Sequence, residues 1–414
     1  MPMSPPNSPQ NTPAFSLPDT RQLSGPHLAA ALCDSRRRLL ALVDDLSDAQ
    51  WQPAYQSGVN PVAWELAHIA WFAEFWILRG PYQRAADGYV QAQQAPRYAG
   101  PDRLFDSARL AHAQRWQEPM PSRAELAHIL AAQLAACIAA IPDTANMDAR
   151  SADAALYFHR LALLHEDMHA EAFYWMRAAL GYPAPDGCTP PLVAVSQPLQ
   201  LAAAQILLGG AHDAPGFAFD NEQAPHSVQL AAFEIDSAPL TAGAFADFVE
   251  QGGYTQADYW PAQAGIWRKQ SGATHPQHWR KTKAGAWQTR WFDEWLPFSP
   301  QAAAIHLNAY EAQAYCLWAK RRLPTAAEWE YAASTRPDFL WGHSVWEWTS
   351  DAFLPYPGFV AGPYADYSQP WFNTHSELRG GAFATHARLH HPHYRNFFQP
   401  QRQDIFTGLR TVAL

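Results

Sequence analysis

Between residues 25 and 181 the apolar positions recur at helical spacing. Leu28, Leu32, Leu39, Val43 and Leu46 fall near a 3.6-residue period and predict a helix over 27–46. Residues 61–78 are apolar nearly all round, with Glu65, His68 and Glu74 set among them. Charged and titratable groups inside such a run predict a buried helix and argue against a membrane span. Ser122-x-x-Glu125 has the form of a capping box, opening a third helix that stops at Pro142. The fourth runs from about 152 to 180 and ends at Gly181 and Pro183. Four long helices predict a bundle. The connection 80–121 is long for a bundle, and such loops usually serve function.

The texture then changes. Residues 181–200 hold five prolines and read as a linker. Beyond them, short alternating segments replace the long periodic ones. Strands are predicted at 206–208, 227–235, 377–379 and 408–412. Helices are predicted at 241–251 and at 308–320, leading into 324–333. The expected architecture is multidomain, α followed by α+β: a disordered tail over 1–24, a helical bundle over 25–181, a linker over 182–200 and a loop-rich domain over 201–414.

Composition narrows the function. A net charge of −9 argues against nucleic acid as a partner. The four cysteines are scattered with no Cys-x-x-Cys, which fits a reducing, cytoplasmic setting and gives no thiolate metal site. Residues 1–20 have neither the basic start nor the apolar stretch of a signal peptide. No membrane partner is expected.

The chemistry centres on residues 161–171. His165 and His169 stand four apart, which puts both on one helix face, where two imidazoles can share a metal ion. His68 shares its face with Trp64, Trp71, Phe72 and Phe75. Taken alone it reads as a satisfied core histidine; beside the His165/His169 pair it becomes a third candidate ligand. Glu166 and Glu171 are candidate acceptors for the imidazole N–H groups.

Several motifs carry a family resemblance. Residues 25–180 resemble the DinB-like bundles, whose three histidines bind a divalent metal. Residues 200–414 resemble the formylglycine-generating-enzyme-like (sulfatase-modifying, C-type-lectin-like) fold. The matching segments are Leu323-Pro-Thr-Ala-Ala-Glu-Trp-Glu-Tyr-Ala-Ala333, Val345-Trp-Glu-Trp-Thr-Ser350, Leu378-Arg-Gly-Gly-Ala-Phe383 and Gly408-Leu-Arg410. This domain order is similar to the ergothioneine-biosynthesis sulfoxide synthases and the related selenoneine synthases.

The resemblance implies a mononuclear non-haem Fe(II) oxygenase with His68, His165 and His169 as ligands. Three neutral ligands on one face leave positions open for substrates. The implied substrates are molecular oxygen, hercynine (Nα-trimethylhistidine) and a sulfur or selenium donor, joined at the imidazole C2. Gly362-Pro-Tyr-Ala-Asp-Tyr-Ser368 matches the family's tyrosine pair. It assigns Tyr364 as proton donor and Tyr367 as a positioning partner. Arg395-Asn-Phe-Phe398 implies that Asn396 touches substrate. Phe397, Phe398, Trp371 and Phe372 are candidate aromatic faces for the trimethylammonium, or plain core aromatics.

Three departures bear on the donor. Met168 stands where relatives that take γ-glutamylcysteine often have Gln, and Phe398 where they have an acid. His112 and Arg115, aligned from Leu104-Phe-Asp-Ser-Ala-Arg109, replace a pair of arginines. Fewer charges weaken the grip on a doubly carboxylated donor. The resemblance then leans to selenoneine synthases and a selenosugar held near His112, Arg115 and Phe398. The alternative is cysteine or γ-glutamylcysteine on the way to ergothioneine. Further rivals are a metal-dependent thiol transferase using the bundle alone and a lectin-like binding module. Formylglycine-generating oxidase chemistry needs a late cysteine pair, and only Cys316 lies beyond residue 200.

Overall fold

A computed structural model describes residues 19–86, 88–210 and 214–414. The four expected helices form the first half: α1 Gly25–Ala41, α2 Val62–Leu78, α3 Arg123–Ala139 and α4 Ala149–Leu180. Pro26 opens α1 in its first turn, where its missing N–H costs nothing. Ser122 and Glu125 form the capping box on α3. Gly181 ends α4 in the left-handed conformation (φ 68°), where a Cβ would be strained. Helix α2 is buried on every side: its Trp64, Leu66, Ile69, Phe72 and Phe75 are all under 6% exposed. It packs between α3 and α4 as the bundle's centre. Among the described residues, no helix is long and apolar enough to cross a membrane.

Of the expected tail over 1–24, residues 1–18 lie outside those described, and Thr20–Gln22 is a 3₁₀ turn packed against the rest. Arg21 is buried and forks onto the carboxylate of Glu222 at 2.6 and 2.8 Å. A polar composition hid this, because an ion pair needs no apolar pattern. The linker also ends early, since Pro198–Leu201 is already a strand paired with Phe233–Asp236.

The second half has two four-stranded sheets. One runs in the order Arg321–Arg322, Val412–Ala413, Phe233–Asp236, Pro198–Leu201. The other runs in the order Asn396–Phe398, Ser376–Gly380, Trp346–Ala352, Thr407–Gly408. In it Trp346 faces Gly380 and Leu378 faces Asn396. Helices α5 Ala242–Glu250, α6 Ala262–Ser271, α7 Ala309–Trp318 and α8 Ala326–Thr335 cover them. The run 227–235 is two strands in different sheets, His226–Leu230 and Phe233–Asp236, broken at Ala231–Ala232. Buried ion pairs hold this domain. Arg379 joins Glu330 and Glu377, Arg395 joins Glu377, and Arg410 forks onto Glu347. Each is under 4% exposed, so each charge depends on its partner.

The two halves dock along α4. Arg388 donates to Asp167 at 2.6 and 2.8 Å and to Asp34 at 3.0 Å. Trp346 Nε1 and Thr385 Oγ1 donate to Glu171 at 2.7 and 2.6 Å.

Candidate metal centre

Helical periodicity brings the three histidines together. His165 and His169, one turn apart on α4, have ring centroids 4.3 Å apart. His68 on α2 stands 5.2 Å from His165 and 5.0 Å from His169. One nitrogen from each ring lies within 4.8 Å of the others. The rings are fixed from behind. His68 Nδ1 donates to the Phe105 carbonyl at 2.7 Å, which leaves Nε2 to face the cluster. His169 Nδ1 bonds Glu65 Oε1 at 2.5 Å. Phe72 stacks flat on His165, centroids 3.6 Å apart.

The electrostatics suit a cation. Burial, reinforced by His169, lowers His68 to about 3. Burial and the two neighbouring rings hold His165 well below its ordinary value. Both imidazoles are therefore neutral at pH 7, the form that donates a lone pair. Burial alone would raise Glu65, but the charge and hydrogen bond of His169 outweigh it and hold the carboxyl at about 2. Three convergent imidazoles, two anchored through their remote nitrogens, fit a divalent metal. Glu65, three residues before His68 on the same face, is the acceptor that pattern reading missed. Glu166 is not one: it is spent on Arg36 at 2.7 Å. Glu171 faces the second domain instead.

A cavity of about 310 Å³ opens over the cluster. Its walls include Asn60, Trp64, Ser107, Arg115, Met168, Glu171, Trp175, Trp346, Tyr364, Tyr367, Tyr394, Asn396 and Phe398. Tyr364 packs edge-on against Phe72 at 4.9 Å and stands 6.4 Å from His165, centroid to centroid. Burial pushes its phenol well above the ordinary value, so it keeps its proton at pH 7. Tyr367 and Tyr394 hydroxyls meet at 3.1 Å, and both reach the Met168 sulfur, at 3.8 and 3.2 Å. Arg115 lies 3.9 Å over the Trp64 ring and donates to Asn60 Oδ1 at 2.7 Å.

Three expected residues do not line this cavity. Phe397 stacks on Phe353 at 4.1 Å, on the opposite face of the strand from Asn396 and Phe398. Trp371 is 41% exposed and leans on His375. His112 is wedged between Tyr55 and Trp116 and bonds the Val59 carbonyl. Sequence proximity to a motif does not fix side-chain direction, and a one-residue step along a strand reverses it. Glu171, Trp175, Trp346 and Tyr394 are cavity residues that motif reading did not pick out as such. Trp175 stands ten residues after His165 and seven after Met168, a helical spacing that shares Met168's face.

A DinB-type bundle with a histidine triad, roofed by a domain of the formylglycine-generating-enzyme type, defines a class of two-domain enzyme. The DinB superfamily matches residues 31–173, and the sulfatase-modifying factor enzyme 1-like domain matches 193–345. The hercynine oxygenase of Mycobacterium tuberculosis is 31% identical, over 92% of this chain and 97% of its own. That of Mycolicibacterium thermoresistibile is 30% identical, over 92% and 94%. The formylglycine-generating enzyme of Streptomyces coelicolor is 27% identical over 44% of this chain and 79% of its own. The chain belongs to the hercynine oxygenase family of ergothioneine-biosynthesis sulfoxide synthases.

Proposed function

We propose that this enzyme is an oxygen-dependent iron(II) catalyst that joins a chalcogen donor to C2 of the hercynine imidazole, with a selenosugar as donor and selenoneine as the eventual product. The observation that carries the reading is the convergent triad His68, His165 and His169 at the floor of an aromatic cavity, in a chain similar over nearly its full length to hercynine oxygenases. Iron bound there would supply redox electrons and open positions for substrates.

The chain's own residues do the rest. Cavity walls from both domains fix the substrates' orientation, the largest saving that positioning offers. Tyr364 holds a proton on its phenol beside His165 and gives it up as oxygen is reduced. Tyr367, tied to Tyr394 and Met168, keeps its hydroxyl pointed into the same space. Asn396 presents a side-chain amide to the hercynine end.

The donor end supports a weakly charged molecule. Among the described residues, Arg115 is the one arginine in the wall, and part of its guanidinium is already engaged by Asn60 and Trp64. Phe398 puts a phenyl face, not an acid, into the cavity, backed by Arg402 at 5.1 Å. A sulfur donor is the second reading, favoured by the relatives' names: hercynine oxygenase, and ergothioneine biosynthesis protein 1 of Schizosaccharomyces pombe.

Iron-loaded protein given hercynine, oxygen and either a selenosugar, cysteine or γ-glutamylcysteine separates these outcomes by product mass. The selenosugar adduct is expected; product from γ-glutamylcysteine alone would sink the selenium reading. Tyr364→Phe is expected to lose roughly 10²–10⁴-fold in product rate while keeping its iron. Undiminished yield would remove the proton-donor role.

A further inference from the structure

Met168 stands between His165 and His169 on α4, and its side chain is part-exposed where it lines the cavity. Met176, two turns farther along the helix, is 1% exposed and packs in the core. The Met168 sulfur has polar neighbours instead. The Tyr394 hydroxyl donates to it at 3.2 Å, the Tyr367 hydroxyl reaches it at 3.8 Å, and the two hydroxyls meet at 3.1 Å. Burial pushes both phenols far above their ordinary value, so each keeps its proton at pH 7. Two protons are thus shared among three atoms. One joins the hydroxyls, and the other is left to the sulfur, a weak acceptor. A glutamine at this position would offer the phenols a strong acceptor and nothing to oxidise.

A thioether so placed is open to oxygen transfer. With hydrogen peroxide as oxidant, a sulfur lone pair takes one peroxide oxygen and the O–O bond breaks. The departing hydroxide needs a proton, and the Tyr394 hydroxyl beside the sulfur gives it one. The transferred oxygen passes its own hydrogen to the phenolate in return. The balance is thioether and hydrogen peroxide to sulfoxide and water, with two electrons leaving sulfur for the peroxide. The product is then held in place. A sulfoxide oxygen is a stronger acceptor than a thioether sulfur, so both phenols turn to it.

We propose that Met168 is a site of reversible oxidation by hydrogen peroxide, and that its sulfoxide shuts the enzyme by capturing the Tyr367 and Tyr394 hydroxyls inside the cavity. A dithiol-dependent sulfoxide reductase restores the thioether, which makes the block a switch. The loss of activity rests on the reading that the cavity takes hercynine and oxygen; the modification itself does not.

Zinc-loaded protein, whose metal exchanges no electrons, is treated with hydrogen peroxide and mapped by peptide mass. On exposure alone Met147, 43% exposed, is oxidised before Met168. The reverse is expected, with Met168 gaining one oxygen roughly tenfold faster than Met147. Tyr394→Phe should slow Met168 to the Met147 rate or below. Met168 oxidised no faster than Met147 in wild type, or undiminished in Tyr394→Phe, overturns the proposal. For the switch, treated protein is reloaded with iron and assayed for product from hercynine, oxygen and donor. Its rate should fall in proportion to Met168 sulfoxide and recover after methionine sulfoxide reductase and dithiothreitol. Met168→Leu, measured against its own untreated rate, should lose nothing to peroxide. Full activity with Met168 oxidised overturns the switch. An untreated enzyme that yields no product with any donor defeats the hercynine reading alone, because the mass of the Met168 peptide is read without substrate.

Discussion

Glu65 stands behind the histidine triad as the residue with most influence per atom. Its carboxylate holds the His169 ring and is itself held by Asn60 Nδ2 at 2.7 Å. Glu65→Gln should leave the fold intact but weaken metal retention about 10–100-fold. Iron content after dialysis against a chelator reads this directly; equal retention by wild type and variant would show that His169 needs no carboxylate. His68, His165 and His169 were legible in the sequence because helical spacing and one lone histidine on a second helix are one-dimensional patterns. Glu65 was hidden because a carboxylate on a buried helix reads equally well as an ion-pair partner. Glu171 was hidden because its two partners lie 175 and 214 residues away.

Among elements, the bundle helices show how far pattern reaches. The starts of α2 and α3 and the stop of α4 followed from Pro61, the Ser122–Glu125 box and Gly181, which act locally. Ser122→Ala should lower the unfolding free energy by about 0.5–2 kcal/mol through loss of the α3 cap. A urea midpoint within error of wild type would show that tertiary packing alone holds that end. The second domain was less legible. Its strands are two to seven residues long and pair across large sequence separations, as Phe233–Asp236 does with Val412–Ala413. Short strands carry too few positions for alternation to stand out. Helix α6 was missed because Ala262–Ser271 buries a single residue, Ala264, and so has no apolar stripe.

Over the whole molecule, charge and acid sensitivity dominate. Asp167 is fully buried, and its closest counter-charge is the Arg388 fork from the other domain, with Arg38 farther off at 3.7 Å. Arg388→Met should cost about 3–5 kcal/mol, because it leaves that carboxylate with only the longer Arg38 pair. Thermal unfolding should then split toward two transitions, and a single unshifted one would show that the interface holds without the pair. Buried histidines add a pH dependence. Burial lowers His306, His386, His390 and His391 to about 4, and His278, stacked 4.0 Å from His306, well below its ordinary value. Below about pH 6.5 the unfolded chain takes up protons that the folded chain refuses. Stability present above pH 6.5 is therefore lost as the pH falls toward 4. Melting temperatures at pH 7, 5.5 and 4.5 should descend in that order. A flat profile would mean that the histidines find compensating acids.

The docking along α4 has a consequence for inheritance and engineering. The bundle contributes the triad, and the second domain contributes Tyr364, Tyr367, Asn396 and Phe398. The triad thus sits on one half, while the cavity wall over it is shared, with Arg115 and Met168 from the bundle and Phe398 from the second domain. A chimera that joins this bundle to the second domain of a relative should keep its metal loading and shift its donor preference only in part, because Arg115 and Met168 stay behind. The graft must keep three couples across the seam: Arg21 with Glu222, Arg388 with Asp167, and Thr385 with Glu171.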